Sequence, residues 1–265
     1  MTSLNGLYCV HLELTSRCNK DCWMCGRRKI DKEYPEIAMK YGDMSLELVK
    51  KIADQLPEGI VVQFHNNGEP LLYPGLKEAL RLFDNQIRCL DTNAKLIVEK
   101  ADAIIDTLDT LTISVIENDP EADQQYALVK KFLERKGVRK PRMIYRCLGN
   151  VDTKRWGQLD GMLATRILHN PLGSFKYKKK PTIPEIGVCL EILNHMAISS
   201  TGKVSICVRF DPKGLGVIGD ATTDSLATIW NGPKRKEWVK HHVEGKRNLI
   251  PLCGYCDYWG VPTGT

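Results

Sequence analysis

The sequence predicts an α/β protein: a partial (β/α)6 barrel over residues 1–170, followed by a small cysteine-organised domain over 171–265. Three observations support this class. Apolar strand-like runs alternate with stretches of helical hydrophobic spacing. Cysteines are dense, 10 in 265 residues, and several are spaced for metal binding. The alternation stops near Asn170, where proline, glycine and lysine take over.

Taken in order, residues 7–14 (LYCVHLEL) read as the first strand. Leu46, Val49, Ile52, Ala53 and Leu56 recur at helical spacing. Residues 60–65 form an apolar strand, and Leu76, Ala79, Leu80 and Phe83 a helix face. Residues 87–92 are the third strand. Leu96, Ile97, Ala101, Ile104, Ile105 and Leu108 form another helix face, and 111–116 the fourth strand. Asp119-Pro120 is expected to cap and open a helix running toward Lys136. Strands five and six fall at 142–148 and 164–168. Residues 171–184 read as a linker. Beyond it come a hairpin around Ser200-Thr201-Gly202 and a short helix over 224–230 stopped by Asn231-Gly232. In parallel α/β sheets the chemistry gathers at the carboxyl ends of the strands.

Hydrophobic content is 43% and charged content 26%, ordinary for a soluble globular chain. No apolar run reaches membrane-spanning length, and no secretory signal precedes the first strand, so a cytoplasmic location is expected. In that compartment disulfides are not expected. Cys9, Cys89 and Cys147 sit in apolar stretches and read as buried core residues. The net charge is +6, with the excess concentrated from Lys176 onward. An anionic partner, compensation for a buried anionic group, and a plain solvated surface are all consistent with it.

Cys18, Cys22 and Cys25 form C-x3-C-x2-C directly after the first strand. Three thiolates in one loop can wrap one soft metal centre. A cubane iron–sulfur cluster usually takes four cysteines, so three leave one iron open. Zinc needs a fourth ligand, for which His11 is the nearest candidate. This triplet resembles the signature of the radical S-adenosylmethionine (SAM) superfamily. The resemblance implies a catalytic [4Fe–4S] cluster whose open iron binds the methionine moiety of SAM. Reductive cleavage then gives a 5′-deoxyadenosyl radical that takes a hydrogen from the substrate.

A second motif supports the resemblance. Asn66-Asn67-Gly68-Glu69-Pro70 follows the second strand and resembles the family's GGEP loop, with asparagines in place of the first two glycines. The resemblance implies that Asn67, Gly68, Glu69 and Pro70 contact the cofactor's amino group, and that Met24 packs near its adenine. Thr92, Asn93 and Ser114 resemble positions that touch its ribose or carboxylate; ordinary strand-end hydrogen bonding is the alternative. Arg146 and Arg166 sit in strands five and six, where charge is unusual. They are candidates for catalysis or for holding a carboxylate or substrate, with surface ion pairing as the alternative.

Cys189, Cys207, Cys253 and Cys256 form a second set. Together with the tract 216–220 and the helix ending in Ile229-Trp230-Asn231, they resemble the SPASM or twitch extensions of the superfamily. The resemblance makes the C-terminal region a small iron–sulfur twitch/SPASM-like domain with one fully ligated auxiliary [4Fe–4S] cluster; on spacing alone, zinc fits equally well. Length and spacing resemble the aminocyclitol dehydrogenase subgroup of butirosin biosynthesis.

The expected activity is an oxidoreductase or isomerase that cleaves SAM and abstracts hydrogen, most simply to oxidise a small polar metabolite. One alternative is rearrangement or modification of a nucleotide, DNA or RNA, favoured by Lys176 to Lys180 and by Lys234-Arg235-Lys236 with Trp238. Another is peptide modification, whose enzymes often carry a leader-recognition domain, whereas this chain starts at its first strand. A non-enzymatic zinc-binding module is the fourth. A flavodoxin or ferredoxin electron donor follows from the resemblance.

Overall fold

The computed structural model describes residues 3–166, 188–254 and 256. Among these residues nine strands form one sheet: β1 (Cys9–Leu12), β2 (Val61–Phe64), β3 (Ile87–Thr92), β4 (Thr110–Ile116), β5 (Arg142–Leu148), β6 (Met162–Arg166), β7 (His195–Ile198), β8 (Lys203–Ser205) and β9 (Val217–Asp220). Their order is β6-β5-β4-β3-β2-β1-β7-β8-β9. The pairs from β6 through β1 to β7 are all parallel, and β8 and β9 are added antiparallel. This is the expected α/β architecture of six parallel strands with helices between them, extended by β7 as a seventh parallel strand.

Alternation along the strands sorts the two faces of the sheet. Val10, Leu12, Val62, Phe64, Leu90, Leu111, Ile113, Val115, Tyr145 and Cys147 are buried in the main core. They pack with Val49 and Ile52 of the helix Leu46–Ala53, with Leu76, Ala79 and Leu80 of the helix Leu76–Arg81, and with Val129 and Phe132 of the helix Ala122–Lys136. The helix Leu46–Ala53 starts where Ser45 accepts the amide of Leu48, an N-cap hydrogen bond. The opposite, inner face carries Cys9, His11, Gln63, His65, Asp91, Thr112, Ser114 and Arg146. This is a polar lining that a core would not use.

Several expectations shift. The face from Leu96 to Leu108 is buried at Ile97, Ala101, Ile104 and Leu108. Only Ala101–Ile104 is α-helical, because turns supply the rest of the segment. Asp119-Pro120 does not open its helix. Glu121 is the N-cap of Ala122–Lys136, and Asp119 instead accepts the amide of Glu121 in a local turn. The sixth strand begins at Met162, earlier than expected, and residues 167 and 168 lie outside the described segments, as does the expected linker with its Lys176–Lys180 run. Of the three supposed core cysteines only Cys147 is buried. Cys9 and Cys89 lie on the half-covered inner face of the sheet.

The C-terminal region shares the main sheet and core. Its strand β7 pairs with β1, and Met196, Ile198, Val204, Leu226, Ile229 and Trp230 join the main hydrophobic core. The hairpin forms where expected, with Gly202 at φ +85° in its turn. Its short helix is Leu226–Trp230, capped by Ser225. Asn231-Gly232 ends it, and Pro233 at once opens a further helix, Pro233–Val243, a position proline favours. A smaller core of Ile192, Ile206, Trp238, Ile250 and Leu252 lies beside Cys189, Cys207 and Cys253. Among the described residues no helix is long and apolar enough to cross a membrane.

Candidate active site and metal centres

The chain leaves β1 into a loop that carries Cys18 and Cys22, and Cys25 is the N-cap of the helix Gly26–Glu33. The loop is held open by hydrogen bonds to its carbonyls. Arg28 Nη2 donates to Cys18 O and Lys20 O, both at 3.0 Å. Arg27 is buried; its Nη1 donates to Ser16 O and, at 2.8 Å, to Asn67 O. Cations in the first turn of a helix oppose its dipole, so Arg27 and Arg28 stand there for another reason. Both favour the thiolate of Cys18, and Lys20 favours that of Cys22. Burial works the other way. It raises the Cys18 thiol and pushes Cys22 up to about 12, with repulsion from the neighbouring thiols adding to it. Three gathered thiols lined with cations are a donor set suited to an anionic iron–sulfur cluster.

The loop after β2 is sewn to this one. A Cβ on Gly68 would stand 2.0 Å from Thr15 O and 2.9 Å from Arg17 O, so only glycine fits the approach. Glu69 N donates to Arg17 O at 2.8 Å. The Glu69 carboxylate accepts Thr92 Oγ1 at 2.7 Å, Leu71 N at 3.0 Å and Asn93 N at 2.8 Å. Burial nevertheless pushes it up to about 7. Pro70 opens the 3-10 turn Pro70–Leu72. Asn93 Nδ2 reaches Asn19 Oδ1 at 2.9 Å and Cys18 Sγ at 3.9 Å. The structure therefore brings Cys18, Asn67, Gly68, Glu69, Thr92 and Asn93 together at the carboxyl ends of β1, β2 and β3.

Met24 is half-buried inside the cysteine loop. Ser114 lies on the inner face opposite Arg146, and its carbonyl shares the Gln125 side chain with Asn93 O, each at 3.0 Å. Arg146 makes an interior ion pair rather than a surface one: its partner Asp91 is 7% exposed. Asp91 also accepts Gln63 Nε2 at 2.7 Å and faces His65 Nδ1 at 3.7 Å. His65 and Arg146 hold the Asp91 carboxyl below its ordinary range against the opposing effect of burial. Arg166 senses the charges of Arg146, Asp91 and Arg209, and its own burial lowers its pKa.

A cavity of about 690 Å³ lies beside Cys22, between Asn19–Trp23 and Asn118–Glu121. That volume suits a small-molecule ligand. Its wall holds the buried pair Lys20–Asp119 at 2.5 Å and the pair Lys95–Glu121 at 2.5 Å. Trp23 closes one side by donating Nε1 to Glu117 O at 3.0 Å.

The four later cysteines also converge. Cys253 senses Cys256 and Cys189, Cys189 senses Cys256, and Cys207 senses Cys189. Burial raises the thiols of Cys189, Cys207 and Cys253. Arg247 Nη1 donates to the carbonyls of Cys253 and, at 3.0 Å, Cys256, and Arg209 N reaches Cys207 Sγ at 3.5 Å. Four thiols with a cation and an amide beside them fit a fully ligated cluster. His11 does not complete the triplet. It turns to the inner face, where His65 Nε2 stands 2.7 Å from its Nδ1 and His195 Nδ1 3.5 Å from its Nε2.

Sequence reasoning missed His65, Asp91, Gln125 and His195, as well as Glu13, whose carboxylate accepts Asn67 N at 2.9 Å and Ser200 N at 3.0 Å, and Glu191, which stands 3.2 Å from His195 Nδ1. Polar residues at alternate strand positions (His11, Glu13, Gln63, His65, Asp91) were the available signal for a lined interior.

The comparisons with known proteins agree with this fold. Family models match residues 12–144 as the radical SAM superfamily and 189–257 as SPASM, an iron–sulfur cluster-binding domain. The chain superposes on BtrN in complex with AdoMet and 2-DOIA with TM-score 0.62 at 18% identity, over 95% of this chain and 93% of that one. Streptococcus suis SuiB bound to S-adenosylmethionine gives 0.60 at 14% identity over 95% and 72%. A histidine-tagged anSMEcpe with bound AdoMet gives 0.59 at 13% identity over 97% and 88%. A curated relative from Pyrococcus furiosus, a tungsten-containing aldehyde ferredoxin oxidoreductase cofactor-modifying protein, is 35% identical over 75 residues; the matched stretch spans 27% of this chain and 19% of that protein. The superfamily model spans half the chain, and so the chain belongs to the radical SAM superfamily, with a catalytic [4Fe–4S] cluster, an auxiliary [4Fe–4S] cluster and SAM as its cofactors.

Proposed function

We propose that the protein oxidises a hydroxyl-bearing small polar metabolite, removing one hydrogen atom, one proton and one electron from an H–C–O–H unit to leave a carbonyl. Cys18, Cys22 and Cys25 would hold the catalytic cluster, and Cys189, Cys207, Cys253 and Cys256 the auxiliary one. With SAM bound, the first supplies the radical and the second takes the electron.

The observation that carries this reading is the placement of the second cysteine set. Cys189 and Cys207 both sense Glu191, and Glu191 touches His11 and His195 on the inner face of the sheet. An electron acceptor there adjoins the polar lining on which a substrate would rest. Glu69, Thr92 and Asn93 organise the loop against the triplet, and Ser114, Arg146 and Arg166 offer donors to substrate oxygens. The resemblance to the aminocyclitol dehydrogenase subgroup favours the same reaction, and BtrN was solved with 2-DOIA bound.

A small metabolite fits better than a nucleic acid. Arg235 lies over Trp230 at 3.2 Å and caps the carbonyls of Ile192 and Leu193, while Lys234 donates to Val217 O at 2.7 Å. These cations are spent on packing the C-terminal region. A flavodoxin- or ferredoxin-type donor would supply the catalytic electron.

The test is anaerobic turnover with a panel of deuterated polyols and aminocyclitols. The expected result is a ketone formed in a one-to-one ratio with deuterium-labelled 5′-deoxyadenosine. Labelled 5′-deoxyadenosine accompanied by a product that differs from the substrate in mass only by exchange of one deuterium for hydrogen would replace oxidation with a redox-neutral rearrangement.

A further inference from the structure

Strand β7 pairs in parallel with β1 so that His195 stands opposite Cys9, on the same face as His11. The helix Leu190–Asn194 leads directly into β7 and places Glu191 one turn before His195. The result is a cluster of two imidazoles and a carboxylate assembled from opposite ends of the chain.

Its hydrogen-bond accounting does not close. His65 Nδ1 faces the Asp91 carboxylate, which assigns the proton to that nitrogen and leaves His65 Nε2 as an acceptor. His11 Nδ1, 2.7 Å away, is then the donor. This tautomer puts the free lone pair of His11 on Nε2, which points toward Glu191 Oε2 at 3.9 Å. Glu191 Oε2 is buried and has no hydrogen-bond partner. His11 Nε2 has only long partners, His195 Nδ1 at 3.5 Å and the Cys9 thiol at 3.9 Å, and the Glu191 oxygen it faces has none. Such an arrangement is costly unless a cation completes it.

The spacing suits one ion. Ligand atoms at about 2.1 Å from a tetrahedral metal stand about 3.4 Å from one another. Here His11 Nε2 and His195 Nδ1 are 3.5 Å apart, and the Glu191 carboxylate spans them with its two oxygens, Oε1 3.2 Å from His195 Nδ1 and Oε2 3.9 Å from His11 Nε2. All three ligand groups lie within 4.8 Å of one another. The Asp91–His65–His11 chain is the kind of outer support that orients a metal-binding imidazole.

We propose that His11, His195 and Glu191 form a mononuclear site for a divalent metal of the zinc type, distinct from both cysteine sets. Three protein ligands leave one position for a substrate oxygen or for Cys9, whose Sγ lies 3.9 Å from His11 Nε2. The site does not depend on the oxidation proposed above.

The experiment uses the anaerobically purified protein carrying both clusters, dialysed against buffered zinc. Zinc and iron are counted by mass spectrometry, and the zinc environment is read by X-ray absorption. One zinc per chain is expected, with nitrogen or oxygen neighbours at about 2.0–2.1 Å. The double variant His11→Ala/His195→Ala should lose it with iron and sulfide unchanged, and His195→Gln should weaken it at least tenfold. A shell mixing one sulfur with nitrogen and oxygen supports the site with Cys9 as the fourth ligand. Zinc bound equally by wild type and double variant, or a shell of sulfur alone at about 2.3 Å, overturns it. If both variants lose iron, the wild-type absorption spectrum decides alone.

Discussion

Glu69 Oε2 accepts the backbone amide of Asn93 at 2.8 Å, tying the loop after β2 to the end of β3 beside Cys18. The carboxyl is buried, and desolvation raises it from 4.5 to about 7. The folded state therefore binds this proton more tightly than the unfolded chain does. Its contribution to stability is full below pH 4.5 and is lost as pH rises through 7, by roughly 3 kcal/mol in all. Urea unfolding of the SAM-free protein at pH 5 and pH 7.5 should show this decline, and Glu69→Gln should remove most of it. An equal slope in the variant would assign the effect to other groups.

The two cysteine sets should separate cleanly by mutation. Cys22→Ala should abolish reductive cleavage of SAM and cost roughly half the iron. Cys256→Ala should also lose iron but keep measurable cleavage. Iron analysis and release of 5′-deoxyadenosine are the two readouts. If Cys22→Ala still cleaves SAM, the triplet is misassigned.

Gly68 packs against backbone that cannot retreat, since the atoms a side chain would meet are Thr15 O and Arg17 O. Gly68→Ala should therefore push the two loops apart. We expect a loss of roughly 2–3 kcal/mol in denaturant unfolding, with a fall in iron retained by the first cluster. A neutral substitution would mean that the loops move independently.

The Asp91–Arg146 pair is interior, so removing one partner strands the other. Arg146→Met should cost about 3 kcal/mol in unfolding free energy. Asp91→Asn on top of it should recover part of that loss instead of adding to it, because the orphaned charge is gone. Strict additivity in this double-mutant cycle would show that the two residues do not interact.

The six parallel strands were legible because each carries a short apolar run bounded by turn residues; the first starts two residues later than expected and the sixth two residues earlier. The triplet, Gly68-Glu69-Pro70 and Thr92-Asn93 were legible because they are contiguous in sequence and end consecutive strands. The inner cluster was not. His11, His65, Asp91 and His195 sit singly on β1, after β2, on β3 and on β7, and only strand register sets them side by side. The docking of Trp230 was equally hidden. Its Nε1 donates to Asn5 O at 3.0 Å, a contact between chain ends that no local pattern announces. Short polar turns at Asp119 and Asn93 likewise outcompeted the helical periodicity that follows them.

The pairing of β1 with β7 has a consequence for how this chain is made. During synthesis β1 finds one neighbour, β2, early, but must wait for His195–Ile198 before its other edge is covered. Until then the nascent chain displays an unpaired parallel edge beside three free thiols. Long-range pairing of this kind is slow and exposed to misassociation. Loading of the first cysteine set can thus begin during synthesis, whereas the second cannot assemble before Cys256 has been made. Production at low temperature with slowed elongation and iron supply from the outset should raise the yield of doubly loaded protein more than it raises total protein.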